Sequence, residues 1–191
     1  GDAVAMYWIG VCYSCGFGVK EDKTKAVEWW ERASGCGFAY ATYRLAWCHE
    51  NGCGVEKNET KAIELYLKSV EATGDADAMC WIGYCYHYGY GVKEDYTKAV
   101  EWWERASGCG HASATTYLAM CYDTGHGVEE SETKTRELYL KAAELGCKDA
   151  AYELGIIYYH GACGVAVNKT EALKWWRVAV ELGDTFVQGA V

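Results

Sequence analysis

A four-residue core, Gly-x-Gly-Val, returns at nearly even spacing along the chain, and no other feature restricts the fold as sharply. It stands at Gly16–Val19, Gly52–Val55, Gly89–Val92 and Gly125–Val128, and again as "GACGV" at Gly161–Val165 with one residue inserted. Self-similarity at a period of roughly 20–50 residues marks a solenoid of small stacked units. Before each core runs a segment such as "AMYWIGVCY" (Ala5–Tyr13) or "ATYRLAWCH" (Ala41–His49), with apolar and small residues at helical spacing. After it comes "TKAVEWWERA" (Thr24–Ala33) or a counterpart, with Trp29-Trp30, Leu65-Tyr66, Trp102-Trp103, Leu138-Tyr139 and Trp175-Trp176 in one register. The spacing predicts a helix A and a helix B in every repeat.

The punctuation agrees. Gly16 and its equivalents end helix A, where a left-handed residue is needed. Asp22, Asn58, Asp95, Ser131 and Asn168 share the position just before helix B, and all five are N-cap types. The glycines do not read as a phosphate loop, which needs a preceding strand and a third glycine. Here a helix precedes, and Glu94 and Asp95 would repel a phosphate. "YGYG" at Tyr88–Gly91 resembles a channel filter in letters alone, since no membrane helices flank it.

Composition supports helices packed through aromatics: no proline interrupts the chain, and it holds nine Trp and sixteen Tyr. The formal net charge of −9 argues against nucleic acid as partner. No apolar run approaches the ~18 residues of a membrane span, so no membrane insertion is expected. "GFGVKEDKTKAVEWWERASGCG" (Gly16–Gly37) returns almost unchanged at Gly89–Gly110, and "AMYWIG" at Ala5 returns as "AMCWIG" at Ala78. Repeats two and four share "ELYLK" instead, so the unit copied is a pair of hairpins. Tandem duplication explains the likeness without catalysis.

The pattern carried by Ile9-Gly10, Tyr13, Gly16, Gly18-Val19, Asp22, Lys25-Ala26, Trp29 and Ala33 resembles the Sel-one-like repeat family, relatives of tetratricopeptide repeats. The resemblance implies an all-α fold: a right-handed α-solenoid of about five antiparallel helix-hairpin repeats in one domain over residues 1–191. The repeats are expected near 3–38, 39–75, 76–111, 112–147 and 148–184, with 185–191 opening a truncated or capping helix. Ala46 and Ala119 in place of the helix A glycine, Thr135 in place of alanine, and the insertion near Ala162 are expected to loosen packing slightly. Such proteins are typically scaffolds or adaptors. Some cysteine-rich bacterial members carry a disulfide in each repeat.

Eleven Cys cannot all pair within the chain. Cys12, Cys48, Cys85 and Cys121 share a register that Ile157 fills in the last repeat, which reads as core. Helix axes stand ~8–10 Å apart, whereas bridged Cα atoms lie within roughly 7 Å. Cys80 opens one helix and Cys109 closes the next, a placement that admits a disulfide, with two unpaired thiols as the plainer reading. "CHENGC" (Cys48–Cys53), "CGH" (Cys109–His111) and "HGAC" (His160–Cys163) hold soft ligands but no paired CxxC elements, so no metal site and no cofactor is expected. The sequons at Asn58 and Asn168 fall on cap positions, and capping accounts for both.

By similarity to tetratricopeptide geometry, helix A lines the concave face, the usual binding surface of a solenoid. That places Tyr7, Val11, Tyr40, Tyr43, Trp47, Glu50 and Asn51 there. Tyr84, His87, Tyr88, Met120, Asp123, Tyr152, Ile156, Tyr159 and His160 follow. One column, Val11, Trp47, Tyr84, Met120 and Ile156, is apolar throughout: a hydrophobic stripe if it faces solvent, or core between adjacent helices if it does not. The expected function is a scaffold that binds a protein or a peptide of neutral to basic character. The alternatives are a structural spacer within a longer array, or a thiol-dependent hydrolase-like activity. No Ser-His-Asp or Cys-His grouping recurs, so a non-enzyme is expected, with no catalytic residues. The ends lack polar capping helices, which fits an excised stretch of a longer array or end-to-end self-association.

Overall fold

Helix boundaries follow the local chemistry of the chain. The computed structural model describes residues 1–184, and over that range it is all-α, with ten helices and no strand. They are α1 (Ala3–Cys15), α2 (Lys23–Gly35), α3 (Ala39–Asn51), α4 (Glu59–Thr73), α5 (Ala76–Tyr88), α6 (Tyr96–Gly108), α7 (Ala112–Thr124), α8 (Glu132–Glu144), α9 (Lys148–His160) and α10 (Lys169–Glu181). The helix expected to open at 185–191 lies outside the described residues.

Asp22, Asn58, Asp95, Ser131 and Asn168 each accept from the amide three residues on, at 2.9–3.4 Å, and so cap α2, α4, α6, α8 and α10. The backbone amides of four of these caps also return to helix A: Asp22 to the Tyr13 carbonyl, Asn58 to His49, Ser131 to Tyr122 and Asn168 to Tyr158. One residue thus starts helix B and closes the loop that leads to it. Gly16, Gly52, Gly89, Gly125 and Gly161 end helix A in the left-handed region, φ 69–73°. The second glycine of the core has another task. A Cβ on Gly54, Gly91 or Gly127 would strike the backbone of Lys23, Glu59 or Tyr96, at the start of the preceding helix B. Each loop therefore rests against the repeat before it.

Glycine in helix A makes room for tryptophan in helix B. A Cβ on Gly10 would meet the Trp30 indole nitrogen at 2.5 Å, and one on Gly155 would meet Trp176. The indoles donate to the Tyr7 and Tyr152 carbonyls at 3.2 and 3.3 Å. Repeats two and four replace both partners, with Ala46 and Ala119 at the glycine register and Tyr66 and Tyr139 at the tryptophan register, all buried. Ala119 and Tyr139 share one core cluster. There a larger residue on helix A meets a smaller ring on helix B, so the two volume changes run in opposite directions.

The chain forms two compact units, Gly1–Glu94 and Asp95–Val191. In the first, α1 packs on α2, α2 on α3, α3 on α4 and α4 on α5; in the second, α6 through α10 follow the same order. The first unit includes a core of Val27, Trp30, Leu45 and Cys48. Tyr139, Leu154, Ile157 and Cys163 serve the second. The cysteine row is core as expected: Cys48, Cys85, Cys121 and Ile157 are buried, and Cys12 is half-buried. In α1, Ile9 is exposed although Leu45, Ile82, Leu118 and Leu154, at its register, are buried under a preceding helix B.

Candidate functional site

Helix A divides its surface by residue type. The side facing helix B carries Ala, Leu, Ile and Cys and is buried, whereas none of the sixteen residues expected on the binding face is fully buried. Tyr43, Trp47 and Glu50 stand at i, i+4 and i+7 along α3, which sets them on one helix face. At ~1.5 Å per residue, Tyr43 and Glu50 are about 10 Å apart along the axis. Each belongs to a separate cleft of the first unit.

The cleft at Tyr43 has a volume of about 470 Å³ and is lined by Tyr7, Tyr40, Tyr43, Arg44, Thr73, Asp75 and Asp77. Tyr40 is 62% exposed. Phe38 packs against two of these rings, its centroid 5.2 Å from Tyr7 and 5.7 Å from Tyr40. Tyr43 leans edge-on against buried Tyr66. Burial, then the carboxylates of Asp77, Asp75 and Glu50, push the Tyr43 phenol up to about 12. The Arg44 guanidinium stands over the Trp30 ring, 5.7 Å from its centroid. Asp75 caps α5, accepting from the Asp77 amide at 3.0 Å.

The cleft at Glu50 is smaller, about 190 Å³, and is lined by Glu50, Asn51, Lys57, Glu59, Ala62, Tyr84, Cys85 and Tyr90. The Tyr66 hydroxyl donates to Glu50 at 2.6 Å. Burial pushes the Glu50 carboxyl up from its usual range, against the pull of that hydrogen bond and of Lys57. Lys57 pairs with Glu59 at 2.8 Å. Tyr84, Tyr88 and Tyr90 form one ring cluster with centroids 4.4–5.9 Å apart, and His87 packs edge-on against Tyr88.

Of the apolar column, Val11 and Trp47 are half-buried and pack against the core around Trp30 and Leu45. Tyr84 is half-buried in the second cleft. In the second unit Met120 is exposed and Ile156 half-buried. Asp123, Tyr152, Tyr159 and His160 are exposed there, and Tyr159 packs against Trp176 at 5.5 Å. Arg44, Thr73 and Asp75 line the first cleft without having been singled out in the sequence, as do Lys57, Glu59 and Tyr90 in the second. Asp75 had a usable signal, because it precedes helix A as Asp22 precedes helix B.

None of the eleven cysteines is disulfide-bonded, and Cys80 is buried and Cys109 exposed. Burial pushes the Cys48 and Cys121 thiols up to about 11 and those of Cys80 and Cys85 to about 12, so none of these is a thiolate nucleophile at neutral pH. Among the described residues, no three His, Cys, Asp or Glu side chains converge on a metal site, and no helix is long and apolar enough to cross a membrane.

The Sel1 repeat family model matches residues 3–38, 39–73, 76–111, 112–147 and 148–184. Among solved structures, a Sel1 repeat protein from Oxalobacter formigenes is 30% identical and superposes with a TM-score of 0.89 over 95% of this chain and 72% of its own. The protein c5321, a protective antigen of uropathogenic Escherichia coli, is also 30% identical, with a TM-score of 0.87 over 98% of this chain and 40% of its own. Helicobacter pylori cysteine-rich protein B shares the fold at 23% identity, with a TM-score of 0.55 over 71% of this chain and 96% of its own. Compared with the curated proteins, the sequence finds no significant match.

Proposed function

The chain belongs to the Sel1 repeat family, and on that premise we propose that the helix A face of its first unit docks a segment of a partner protein. Sel1 repeat proteins generally serve as protein–protein interaction scaffolds. One observation carries the reading to this face: two clefts about 10 Å apart along α3, both walled by tyrosines that remain accessible. Tyrosine supplies large contact area with few rotatable bonds, and is enriched where binding energy concentrates. The family is typically non-catalytic, and the raised buried thiols give the hydrolase-like alternative no support.

The test uses exposed tyrosines, because Trp47 and Tyr84 are half-buried and their loss would unsettle the core. A displayed library of linear peptides is selected on the wild-type chain. Binders are then measured on a Tyr40→Ala/Tyr88→Ala variant whose helicity is checked by circular dichroism. Affinity is expected to fall at least about tenfold on a variant that stays folded. Unchanged binding would remove this face from the interaction and favour a spacer.

A further inference from the structure

We propose that the cleft of Tyr7, Tyr40, Tyr43, Asp75 and Asp77 takes an arginine side chain of the docked segment. The inference rests on the docking reading above and specifies its anchor. Beside Arg44 and Thr73, the cleft holds what a guanidinium requires: tyrosine rings for its flat faces and carboxylates for its edge. Among the charged groups lining it, two carboxylates face one resident cation, Arg44, so the lining is net negative. The whole chain is negative as well, at −9. Carboxylate influence inside the cleft is already felt by Tyr43, whose phenol holds its proton more tightly under Asp77 and Asp75.

Arginine fits better than lysine. Its planar group stacks on aromatic rings, engages a carboxylate through two parallel bonds and gives up water more readily than an ammonium. Arg44 itself supplies the precedent, with its guanidinium over the Trp30 ring. A volume of about 470 Å³ admits a long side chain together with the backbone that carries it. Arg44 then acts as an electrostatic counterweight, weakening every guest cation, and its removal should tighten binding.

The experiment titrates isotope-labelled protein with the blocked tripeptide Gly-Arg-Gly and with its citrulline counterpart, which keeps the shape and loses the charge. NMR follows the ring signals of Tyr7, Tyr40 and Tyr43. Saturable shifts at these rings are expected with arginine, with citrulline at least about tenfold weaker. Asp77→Asn should weaken the arginine peptide, and Arg44→Gln should strengthen it. Asp75 is left intact because it caps α5. Absence of saturable shifts at these rings, or an equal response to citrulline, overturns the cation pocket. Should library peptides still lose affinity on Tyr40→Ala/Tyr88→Ala in that case, the docking face stands and only its anchor is wrong. Should neither probe depend on this face, both readings fall.

Discussion

A single methyl group separates the two kinds of repeat. Where helix A holds glycine, helix B brings an indole into the vacated space; where it holds alanine, the partner ring is tyrosine. Gly10→Ala should therefore cost about 1–3 kcal/mol by overpacking against Trp30. Trp30→Tyr alone leaves a gap beside Gly10 and the Tyr7 carbonyl without its indole donor. The double variant recreates the pairing of repeats two and four. Urea unfolding of the four proteins should show the pair less destabilised than the sum of the singles, and simple additivity would mean the two positions do not sense each other. Caps act at the same scale: Asn58→Ala removes the acceptor for the Lys61 amide and should cost about 1 kcal/mol, read in the same unfolding experiment.

At the scale of an element, the loop between helices carries two glycines with separate duties, and they can be told apart. Gly18 and Gly91 occupy the same register and both have positive φ, but a Cβ on Gly18 meets nothing within 4 Å while one on Gly91 runs into Glu59. Gly18→Ala should cost only the left-handed penalty, about 1–2 kcal/mol. Gly91→Ala adds a backbone collision at the start of α4 and should cost clearly more. Equal losses would mean the loop does not bear on the preceding repeat. This contrast also marks what the sequence made legible. Caps and terminal glycines have local causes, so Asp22, Asn58 and Gly16 could be read from their neighbours alone. The duty of Gly91 depends on a helix start some thirty residues earlier, and the fit of Trp30 on Gly10 depends on which faces of two helices meet. The first cleft divides in the same way. Tyr7, Tyr40 and Tyr43 stood out by register, and the fold brings them together. Arg44 lies one position off the expected column, and Asp75 takes its place in the cleft as the cap of α5.

For the molecule as a whole, the buried thiols set a limit on the alkaline side. Cys48, Cys80 and Cys85 serve the first unit and Cys121 the second, and burial holds all four well above the ordinary thiol value of 9, at about 11 to 12. Tyr43 follows, pushed up to about 12 from 10. The folded chain keeps these protons at a pH where the unfolded chain has begun to release them. The unfolded state then binds fewer protons than the native one, and stability must fall as pH rises. The contribution is complete well below pH 9 and is lost progressively as the pH rises through 9 toward 11 to 12. Urea midpoints recorded under reducing conditions at pH 7, 9 and 10.5 should fall a little between the first two and much further by the third. Cys48→Ala/Cys121→Ala should start from a lower midpoint at pH 7, because two buried side chains are shortened. It should then lose less between pH 9 and 10.5, because two of the titrating groups are gone. The slope is the discriminating quantity: a variant that declines as steeply as the wild type would show that these thiols do not govern the alkaline limit, and would pass that role to the tyrosines.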